Sequence, residues 1–433
     1  MLQIKNRETA KLSPLIVSAL LATTLTACGG SSGGGSEQSS SSSESSSSES
    51  SSSEESSSSS SSEDNTDGAF SIDPDFQLYA LADFPVGVAV SAAGESYSIF
   101  NHSDATQRQN VITEHFSELT AGNIMKMSYL HPQEDTFTFG DADELVGFAD
   151  TNGMTVHGHA LVWHSGYQVP GFMENYEGDF AAMLSDHVKG IVNHFESEFP
   201  GTVASWDVVN EAVDQGGENG FRQSLFYNEL PPASEGDIPE YIRVAFQAAR
   251  DTGAEIDLYY NDYDNTANDV RLAKTLEIAD GLAEGDLIDG VGFQMHVYMT
   301  YPSLNDFENA FQEVVDRGLK VKVTELDVAV VNPYGGNAPD ELEYDAALAG
   351  EQKQRFCDIA RVYLETVPAE LRGGFTVWGL TDDESWLMNQ FRNATGADYD
   401  DVWPLLFNAD LSAKPALQGV ADAFQGNACN SDI

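Results

Sequence analysis

Short apolar runs rich in β-branched and aromatic residues alternate with longer amphipathic runs from about residue 84 onward. The short runs predict strands, and the longer runs predict the helices between them. Eight strand–helix units in succession indicate an α/β fold of the (β/α)8, or TIM barrel, type in a single domain. The predicted strands are Phe84–Ser91, Ile124–Tyr129, Thr155–Trp163, Ser205–Glu211, Glu255–Asp262, Gly290–Val297, Lys320–Val328 and Gly373–Thr381. The predicted helices include Phe180–Phe199, Pro239–Thr252, Ala267–Gly281, Leu304–Arg317 and Glu351–Thr366.

An open, doubly wound sheet is the alternative fold, but no glycine-rich phosphate loop follows the first predicted strand. Two long inserts, Val213–Ser234 and Val331–Tyr344, each follow a predicted strand that carries a glutamate. In a barrel these inserts would overhang the carboxyl ends of the strands, where active sites lie.

The N-terminus has the pattern of a secretory signal. Lys5, Arg7 and Lys11 precede the apolar run Leu12–Leu25, which is too short for a comfortable membrane span. The following Cys28 makes the segment resemble a bacterial lipobox, which implies cleavage before this cysteine and lipid on its thiol. We therefore expect a cell-envelope lipoprotein, at the outer membrane or cell surface of a Gram-negative bacterium. An ordinary signal with an incidental cysteine is the alternative.

Residues 28–68 are mostly serine with scattered glutamates after the first cysteine and a few glycines. Such a segment has too little apolar surface to offset the entropy of ordering, so we expect a disordered tether. The sequence therefore predicts a signal peptide at residues 1–27, a tether at 28–68 and a catalytic domain at 69–433.

The formal net charge is −50, from 20 basic and 70 acidic residues. The first 68 residues hold nine acids and three bases, so most of the negative charge belongs to the predicted domain. This charge argues against nucleic acid as a partner, and against membrane contact other than through the N-terminal lipid. We expect a monomer.

Three cysteines are present, and lipid on Cys28 would leave two. In an oxidising compartment Cys357 and Cys429 have the count for one disulfide, closing a loop of about 70 residues. Two unpaired thiols are the alternative.

Two glutamates stand at the ends of two predicted strands. Glu211 ends the run Trp206–Glu211, and Glu325 lies in Val323–Asp327. Hydrolysis of a glycosidic bond with retention needs two such carboxyl groups about 5–5.5 Å apart. The fourth and seventh strands lie on opposite sides of a barrel mouth, so these glutamates can face each other across a sugar.

Seven motifs follow one another at the predicted strand ends: Asn123–Lys126, His157–His164, Trp206–Glu211, Tyr260–Tyr263, Gln294–His296, Thr324–Asp327 and Thr376–Asp382. Together they resemble glycoside hydrolase family 10, the endo-β-1,4-xylanases. The resemblance runs from about Phe84 to Phe424, which is essentially the whole predicted domain. It implies xylan or xylo-oligosaccharides as substrate and no cofactor.

The resemblance also implies roles for individual residues. Glu211 would donate a proton and Glu325 would attack the anomeric carbon, with Asn210 on the sugar 2-hydroxyl. His296, with Asp327 behind it, would keep Glu325 ionised. The remaining substrate-binding positions would be Asn123, Lys126, His159, Trp163, Tyr263, Gln294, Trp378 and Trp386.

Several of the same residue types have structural interpretations. Trp163, Trp206 and Trp403 could be core residues, and for Trp206 we favour that interpretation. His157 and His164 are expected to be hydrogen-bonded structural histidines, and Asp207 and Asp262 structural or supporting acids. The spacing of His157, His159 and His164 fits no open zinc site, so we expect no metal.

The family usually has Glu-Asn where this chain has Gly122-Asn123. That glutamate ordinarily binds the xylose in the −2 subsite, two sugars from the cleaved bond on the glycone side. A hydrogen bond to a charged group contributes about 1.5–3 kcal/mol, so its loss should weaken −2 binding roughly 10- to 100-fold. One alternative is an enzyme with lower activity on short linear substrates. The other is an enzyme that accepts decorated xylan, with substitute contacts from Val331–Tyr344 or from Gly166 and Tyr167. We favour the second alternative.

The leading functional hypothesis is a retaining endo-β-1,4-xylanase that acts on decorated xylan such as arabinoxylan. A β-1,4-glucanase built on the same barrel is one alternative. A surface sugar-binding lipoprotein without catalysis is another, although such a protein has no need of an acid/base pair.

Overall fold

The computed structural model describes residues 70–332, 343–396 and 402–433. The signal peptide and tether predicted for residues 1–68, including the lipid-bearing Cys28, lie outside the described residues. Most of the predicted insert Val331–Tyr344 lies outside them as well. Within the described ranges, no helix is both long enough and apolar enough to cross a membrane.

The described β-strands pair in parallel and close into a barrel. Strand β1 pairs with β2 on one side and β9 on the other, and β6 closes the ring by pairing with β8. Strand β7 is a short continuation after β6 that also pairs with β8. The (β/α)8 prediction is confirmed. The strands are β1 Val86–Val90, β2 Glu118–Ala121, β3 Thr155–Trp163, β4 Val203–Asn210, β5 Asp257–Asp262, β6 Gly290–Phe293, β7 His296–Tyr298, β8 Lys320–Ala329 and β9 Arg372–Val377.

The helices pack outside the barrel through apolar stripes. In α5, for example, Leu184, Val188 and Ile191 are buried at helical spacing, and Asp179 caps the first turn by accepting from the Ala182 N–H at 3.1 Å. The described helices are α1 Ala105–His115, α2 Met127–Leu130, α3 Gly140–Thr151, α4 Gly171–Glu174, α5 Phe180–Glu198, α6 Leu225–Glu229, α7 Glu240–Asp251, α8 Asp269–Ala283, α9 Leu304–Val315, α10 Ala346–Thr366, α11 Leu387–Thr395 and α12 Pro415–Phe424.

The second predicted strand is wrong. Residues 124–126 lie in a loop, and α2 follows them, whereas the strand is Glu118–Ala121. All four residues of β2 are buried, but two of them are polar, so the run does not have the apolar pattern of a barrel strand. Glu118 is compensated inside the barrel by an ion pair with Lys322, which is also fully buried.

Trp206 is a core residue, as favoured from the sequence. Only 1 % of its surface is exposed, and its ring packs against Phe195 with centroids 6.0 Å apart. The ring also lies against Gly158, where an added Cβ would stand 2.3 Å from the indole. A glycine in β3 therefore makes room for the large ring between β3 and β4.

A disulfide joins Cys357, in α10, to Cys429, which follows α12. The Cα atoms are 5.5 Å apart and the sequence separation is 72. The bond ties the C-terminal segment to α10, against which α12 also packs.

Candidate active site

Glu211 and Glu325 both contact one residue, Asn261 of β5. The Asn261 carbonyl accepts from the Glu211 backbone N–H at 2.9 Å, and the Asn261 side chain donates to Glu325 Oε1 at 2.8 Å. Thr324 fixes the amide by donating to its oxygen at 2.7 Å. Because β5 lies beside β4, which ends just before Glu211, one buried asparagine holds the two carboxyl-bearing segments at a common edge of the barrel.

Glu325 is held as a carboxylate. Its second oxygen lies 3.3 Å from His296 Nε2, and the side chain is buried. Burial alone would raise its pKa, but the hydrogen bond from His296 and the positive charges of His159 and His296 outweigh that effect and lower it. Glu325 is therefore ionised and aimed into the barrel mouth at neutral pH.

His296 is charged because Asp327 stands behind it. Its Nδ1 lies 2.8 Å from Asp327 Oδ2, and Trp386 Nε1 donates to the same oxygen at 3.1 Å. Burial lowers the pKa of His296, but Asp327 and Glu325 more than reverse this and raise it to about 10. The His296 imidazolium therefore lies between the Asp327 and Glu325 carboxylates and reduces the repulsion between them.

Glu211 has different surroundings. Its backbone is in the left-handed region, with φ of 58°, directly after β4, and Gln294 donates to its Oε1 at 3.1 Å. The side chain is 14 % exposed, against 6 % for Glu325, so it is the more accessible of the two acids. Backbone strain of this kind is common where a side chain must be aimed at a ligand.

His164 lies beside this glutamate, with Nδ1 3.9 Å from Glu211 Oε2. Its Nδ1 has no hydrogen-bond partner among the described residues, so the prediction of a hydrogen-bonded structural histidine is wrong for that atom. Burial, together with the nearby Arg222 and Arg271 charges, lowers the pKa of His164 to about 3. The His164 ring is therefore neutral near pH 7.

Asn210 precedes Glu211 and is buried between β3 and β5. Its side-chain oxygen accepts from Trp163 Nε1 at 3.2 Å, and its nitrogen donates to the Asn261 carbonyl at 3.2 Å. Trp163 is itself only partly buried and forms part of the site wall, so it is not a plain core residue.

Two arginines that sequence reasoning missed fix Tyr263. Arg222 donates to the Tyr263 hydroxyl at 3.2 Å and to the Glu211 carbonyl at 3.0 Å, and Arg271 lies 3.8 Å over the tyrosine ring. Arg271 also pairs with the buried Asp262 at 2.8 Å. One face of the ring is thus covered by a guanidinium, and its position on the Glu211 side of the site is fixed by charge.

On the opposite side, Lys126 reaches toward both glutamates. Its Nζ donates to Asn123 Oδ1 at 3.1 Å and lies 4.8 Å over the Trp163 ring. Burial lowers the pKa of Lys126 to about 8, although the charges of Glu325, Glu211 and Glu95 act in the opposite direction. The ammonium remains charged at neutral pH.

His159 lies at the floor of the site. Its Nδ1 lies 2.9 Å from Asp207 Oδ2, and its ring meets the edge of Trp378 at 5.3 Å. Asp207 also lies 3.1 Å from His157 Nε2, and although burial raises its pKa, the two histidines lower it well below its usual range. His157 and Asp207 therefore support His159, as expected for structural residues.

Possible metal ligands within the described part of the chain form one group of three, His159, Asp207 and Glu325, whose ligand atoms lie within 4.8 Å of one another. These side chains already bond to one another or to His296 and Asn261. Hydrogen bonding accounts for the arrangement.

The predicted substrate-binding residues thus lie toward the carboxyl end of the barrel, and Trp386 is the most exposed of the tryptophans among them, at 38 %. Sequence reasoning missed Asn261, Arg222, Arg271 and a further acid, Glu95, which bonds to Asn123 at 2.6 Å. Asn261 stands inside the Tyr260–Tyr263 motif at the end of a predicted barrel strand, and that position is the signal that could have identified it.

Comparison with known proteins gives one family. The profile of Glycosyl hydrolase family 10 matches residues 77–423. Endo-β-1,4-xylanase Xyn10C from Cellvibrio japonicus is 47 % identical over 81 % of this chain and 58 % of its own length. Endo-1,4-β-xylanase A from the same species is 42 % identical over 81 % of this chain and 56 % of its own length, so the chain spans little more than half of these relatives. The structure of a xylanase10C variant from C. japonicus in complex with xylopentaose has a TM-score of 0.77, 44 % identity, and coverage of 84 % and 72 % of the two chains.

Proposed function

Because this chain belongs to glycosyl hydrolase family 10, we propose that it is a retaining endo-β-1,4-xylanase. The observation that carries the proposal is the pair Glu211 and Glu325, joined through Asn261, with a charged histidine against Glu325. The names of its relatives as endo-1,4-β-xylanases support the activity, and the xylopentaose complex of one of them supports a xylo-oligosaccharide as ligand.

In the first step, Glu325 attacks the anomeric carbon while the bond to the leaving oxygen breaks. Glu211 gives its proton to that oxygen, and a covalent glycosyl-enzyme forms. In the second step, Glu211 takes a proton from water, whose oxygen attacks the same carbon and releases Glu325. Two inversions give net retention, and each residue ends in its starting protonation state.

The neighbouring side chains bind the sugar that is being cleaved. Lys126 and His159 would bind its hydroxyls, and Asn210 its 2-hydroxyl, where a contact strengthens as positive charge develops on the ring. Trp378 and Trp386 would wall this subsite with aromatic faces. On the leaving-group side, the face of Tyr263 opposite Arg271 would stack on the next sugar.

The proposal includes decorated xylan, such as arabinoxylan, as the preferred substrate. It is supported by the missing side chain at Gly122, where an added Cβ would contact only the Val90 carbonyl group, with its oxygen at 3.4 Å. We expect Gly122→Glu to lower kcat/KM on arabinoxylan relative to linear xylan by about 10-fold, because the new side chain fills that space. An unchanged ratio would refute the preference and leave the xylanase activity standing.

We further propose that the protein acts as a monomer displayed from the cell envelope by lipid on Cys28 and the serine-rich tether at residues 28–68. Labelling of the mature protein with a fatty-acid analogue, and its loss in Cys28→Ser, tests the anchor.

The catalytic roles are tested by two variants with different chemical signatures. Glu325→Ala should lose activity on xylan by roughly three orders of magnitude or more, and on aryl xylobiosides equally. Glu211→Ala should lose activity on xylan but retain more on an aryl xylobioside with a good leaving group, which needs no proton. Equal losses on both substrates for Glu211→Ala would contradict its role as acid, and faster cleavage of carboxymethyl-cellulose than of xylan by the native enzyme would favour a glucanase.

A further inference from the structure

A third glutamate, Glu95, lies at the mouth of the barrel in the loop between β1 and α1. Its Oε1 accepts from Asn123 Nδ2 at 2.6 Å, and its Oε2 accepts from the Ala92 backbone N–H at 2.8 Å. The side chain is partly exposed. The carboxylate is therefore held in place by two hydrogen bonds while remaining within reach of a ligand.

Glu95 ends a row of hydrogen-bonded polar side chains. Lys126 acts electrostatically with both catalytic glutamates and donates to Asn123 at 3.1 Å, and Asn123 in turn donates to Glu95. Glu95 is thus joined to Lys126 through Asn123 and stands two side chains along the row from it.

The residue before Asn123 provides no carboxylate. Gly122 has no side chain, and the nearest atom to a Cβ built there is the Val90 carbonyl oxygen at 3.4 Å. The acid bonded to Asn123 thus comes from the neighbouring β1 loop and not from the residue before Asn123.

Exposed aromatic rings flank the same side of the site. Tyr129 is 42 % exposed, and its pKa is raised by burial and by the charge of Glu95, which places it near the carboxylate. Tyr167 is 69 % exposed and packs edge-on against Trp163 with centroids 5.6 Å apart. Carboxylates that accept from hydroxyls and aromatic faces that cover ring carbons are together suited to a pyranose.

We propose that Glu95 is a substrate-binding residue that accepts hydrogen bonds from the second sugar on the glycone side of the cleaved bond. It supplies from the β1 loop the carboxylate that Gly122 cannot supply. This inference rests on the proposed xylanase function. It also adds a contact on the glycone side of the site without a side chain at position 122.

Two aryl substrates separate binding of the second sugar from any effect on the first. An aryl β-xyloside has one sugar on the glycone side, and an aryl β-xylobioside has two. We expect Glu95→Ala to lower kcat/KM on the xylobioside by about 10- to 100-fold and on the xyloside by less than about 3-fold. Glu95→Gln, which keeps an acceptor oxygen but loses the charge, should show a smaller loss with the same selectivity.

The matched control is Glu114→Ala, an exposed glutamate on α1, which should change neither substrate. Equal losses on both substrates would overturn the proposal, because they would mean that Glu95 only positions Asn123 and Lys126. Unchanged kcat/KM on the xylobioside in both Glu95 variants would also overturn the proposal. Melting temperatures of all variants identify any that fail to fold.

Failure of the underlying function has a different signature. If the native protein cleaved neither xylan nor either aryl substrate, the proposed xylanase activity would be refuted, and Glu95 as a xylan-binding residue with it. A native protein that is active on both, with Glu95 variants of unaltered selectivity, would refute the Glu95 proposal alone.

Discussion

His296 gives the two glutamates of the site different electrostatic surroundings. Glu325 faces a charged imidazole whose pKa is raised to about 10, whereas Glu211 faces His164, whose pKa is lowered to about 3. A nucleophile must be ionised, while an acid/base must exchange a proton, so unequal surroundings suit a division of roles. The division originates in Asp327, which sets the charge of His296.

Asp327→Asn should make the enzyme more sensitive to acid. Without the carboxylate, the pKa of His296 falls; the Glu325 carboxylate then loses its cationic neighbour, and its own pKa rises. Because only ionised Glu325 attacks, the acidic limb of the kcat/KM profile should move to higher pH, with a loss of roughly 10- to 100-fold on the acid side. The exposed Asp280→Asn serves as the control, and an unmoved acidic limb in Asp327→Asn would contradict this account.

At the residue scale, the sequence predicted those side chains that stand in continuous motifs. Glu211 directly follows β4, His296 begins β7 and Glu325 lies in the second half of β8, where the barrel brings them together. Glu95 and Arg222 lie in loops, and their partners Asn123 and Tyr263 are distant in the chain. Such contacts depend on the path of the loops, which no local pattern encodes.

At the element scale, hydrophobic periodicity predicted the buried strands and the long helices, but it failed at β2. That strand carries Glu118, whose charge is compensated by Lys322 from β8, more than two hundred residues later. A buried polar strand residue looks like a loop residue until its partner is known. The same limit applies to His131 and His187, which join the α2 end to α5.

These two histidines make the fold sensitive to acid. Their Nδ1 atoms are 3.0 Å apart, and His187 Nε2 donates to the Leu161 carbonyl at 2.9 Å, so His187 accepts at Nδ1 in the neutral pair. Burial lowers the pKa of His187 to about 3 from its ordinary 6.5. Between these two pH values the unfolded chain binds a proton at His187 that the folded chain does not bind. The contribution of His187 to the free energy of unfolding is therefore fully present above about pH 6.5 and is lost progressively as the pH falls toward 3.

We expect His187→Gln to reduce the fall in the free energy of unfolding with decreasing pH. The free energy of unfolding of the native protein should fall by about 2 kcal/mol through this group between pH 7 and 5. The variant should show a smaller fall, despite lower stability at pH 7 from altered packing. Denaturant unfolding at both pH values measures it, and parallel pH dependence in the two proteins would contradict the assignment.

The disulfide between Cys357 and Cys429 connects α10 to the C-terminal segment. Cys429→Ser should lower the free energy of unfolding by about 2–4 kcal/mol, because the unfolded chain regains the freedom of a loop closed over 72 residues. Reductant should destabilise the native protein to a similar extent and leave the variant unaffected. A native protein with the same denaturation midpoint with and without reductant would contradict a stabilising bond.

At the scale of the whole molecule, charge is the dominant feature. The chain has 70 acidic and 20 basic residues, and all but nine of the acids and three of the bases follow residue 68. The folded part therefore repels itself, and salt screens that repulsion. The melting temperature should therefore rise as sodium chloride increases from about 0.05 to about 0.5 M. Sucrose of equal osmolality separates screening from a general cosolute effect, and a melting temperature that falls steadily with salt would contradict the expectation.

In the proposed mechanism, Glu325 forms the covalent intermediate of a retaining hydrolysis. A 2-deoxy-2-fluoro-xylobioside with a good leaving group should accumulate that intermediate. The fluorine slows both formation and release of the intermediate, whereas the good leaving group speeds its formation alone, so release becomes the slower step. Peptide mapping by mass spectrometry should find the added sugar on Glu325, in the peptide that contains β8. A label on any other residue, or turnover of xylan to products of inverted configuration without a label, would contradict the account.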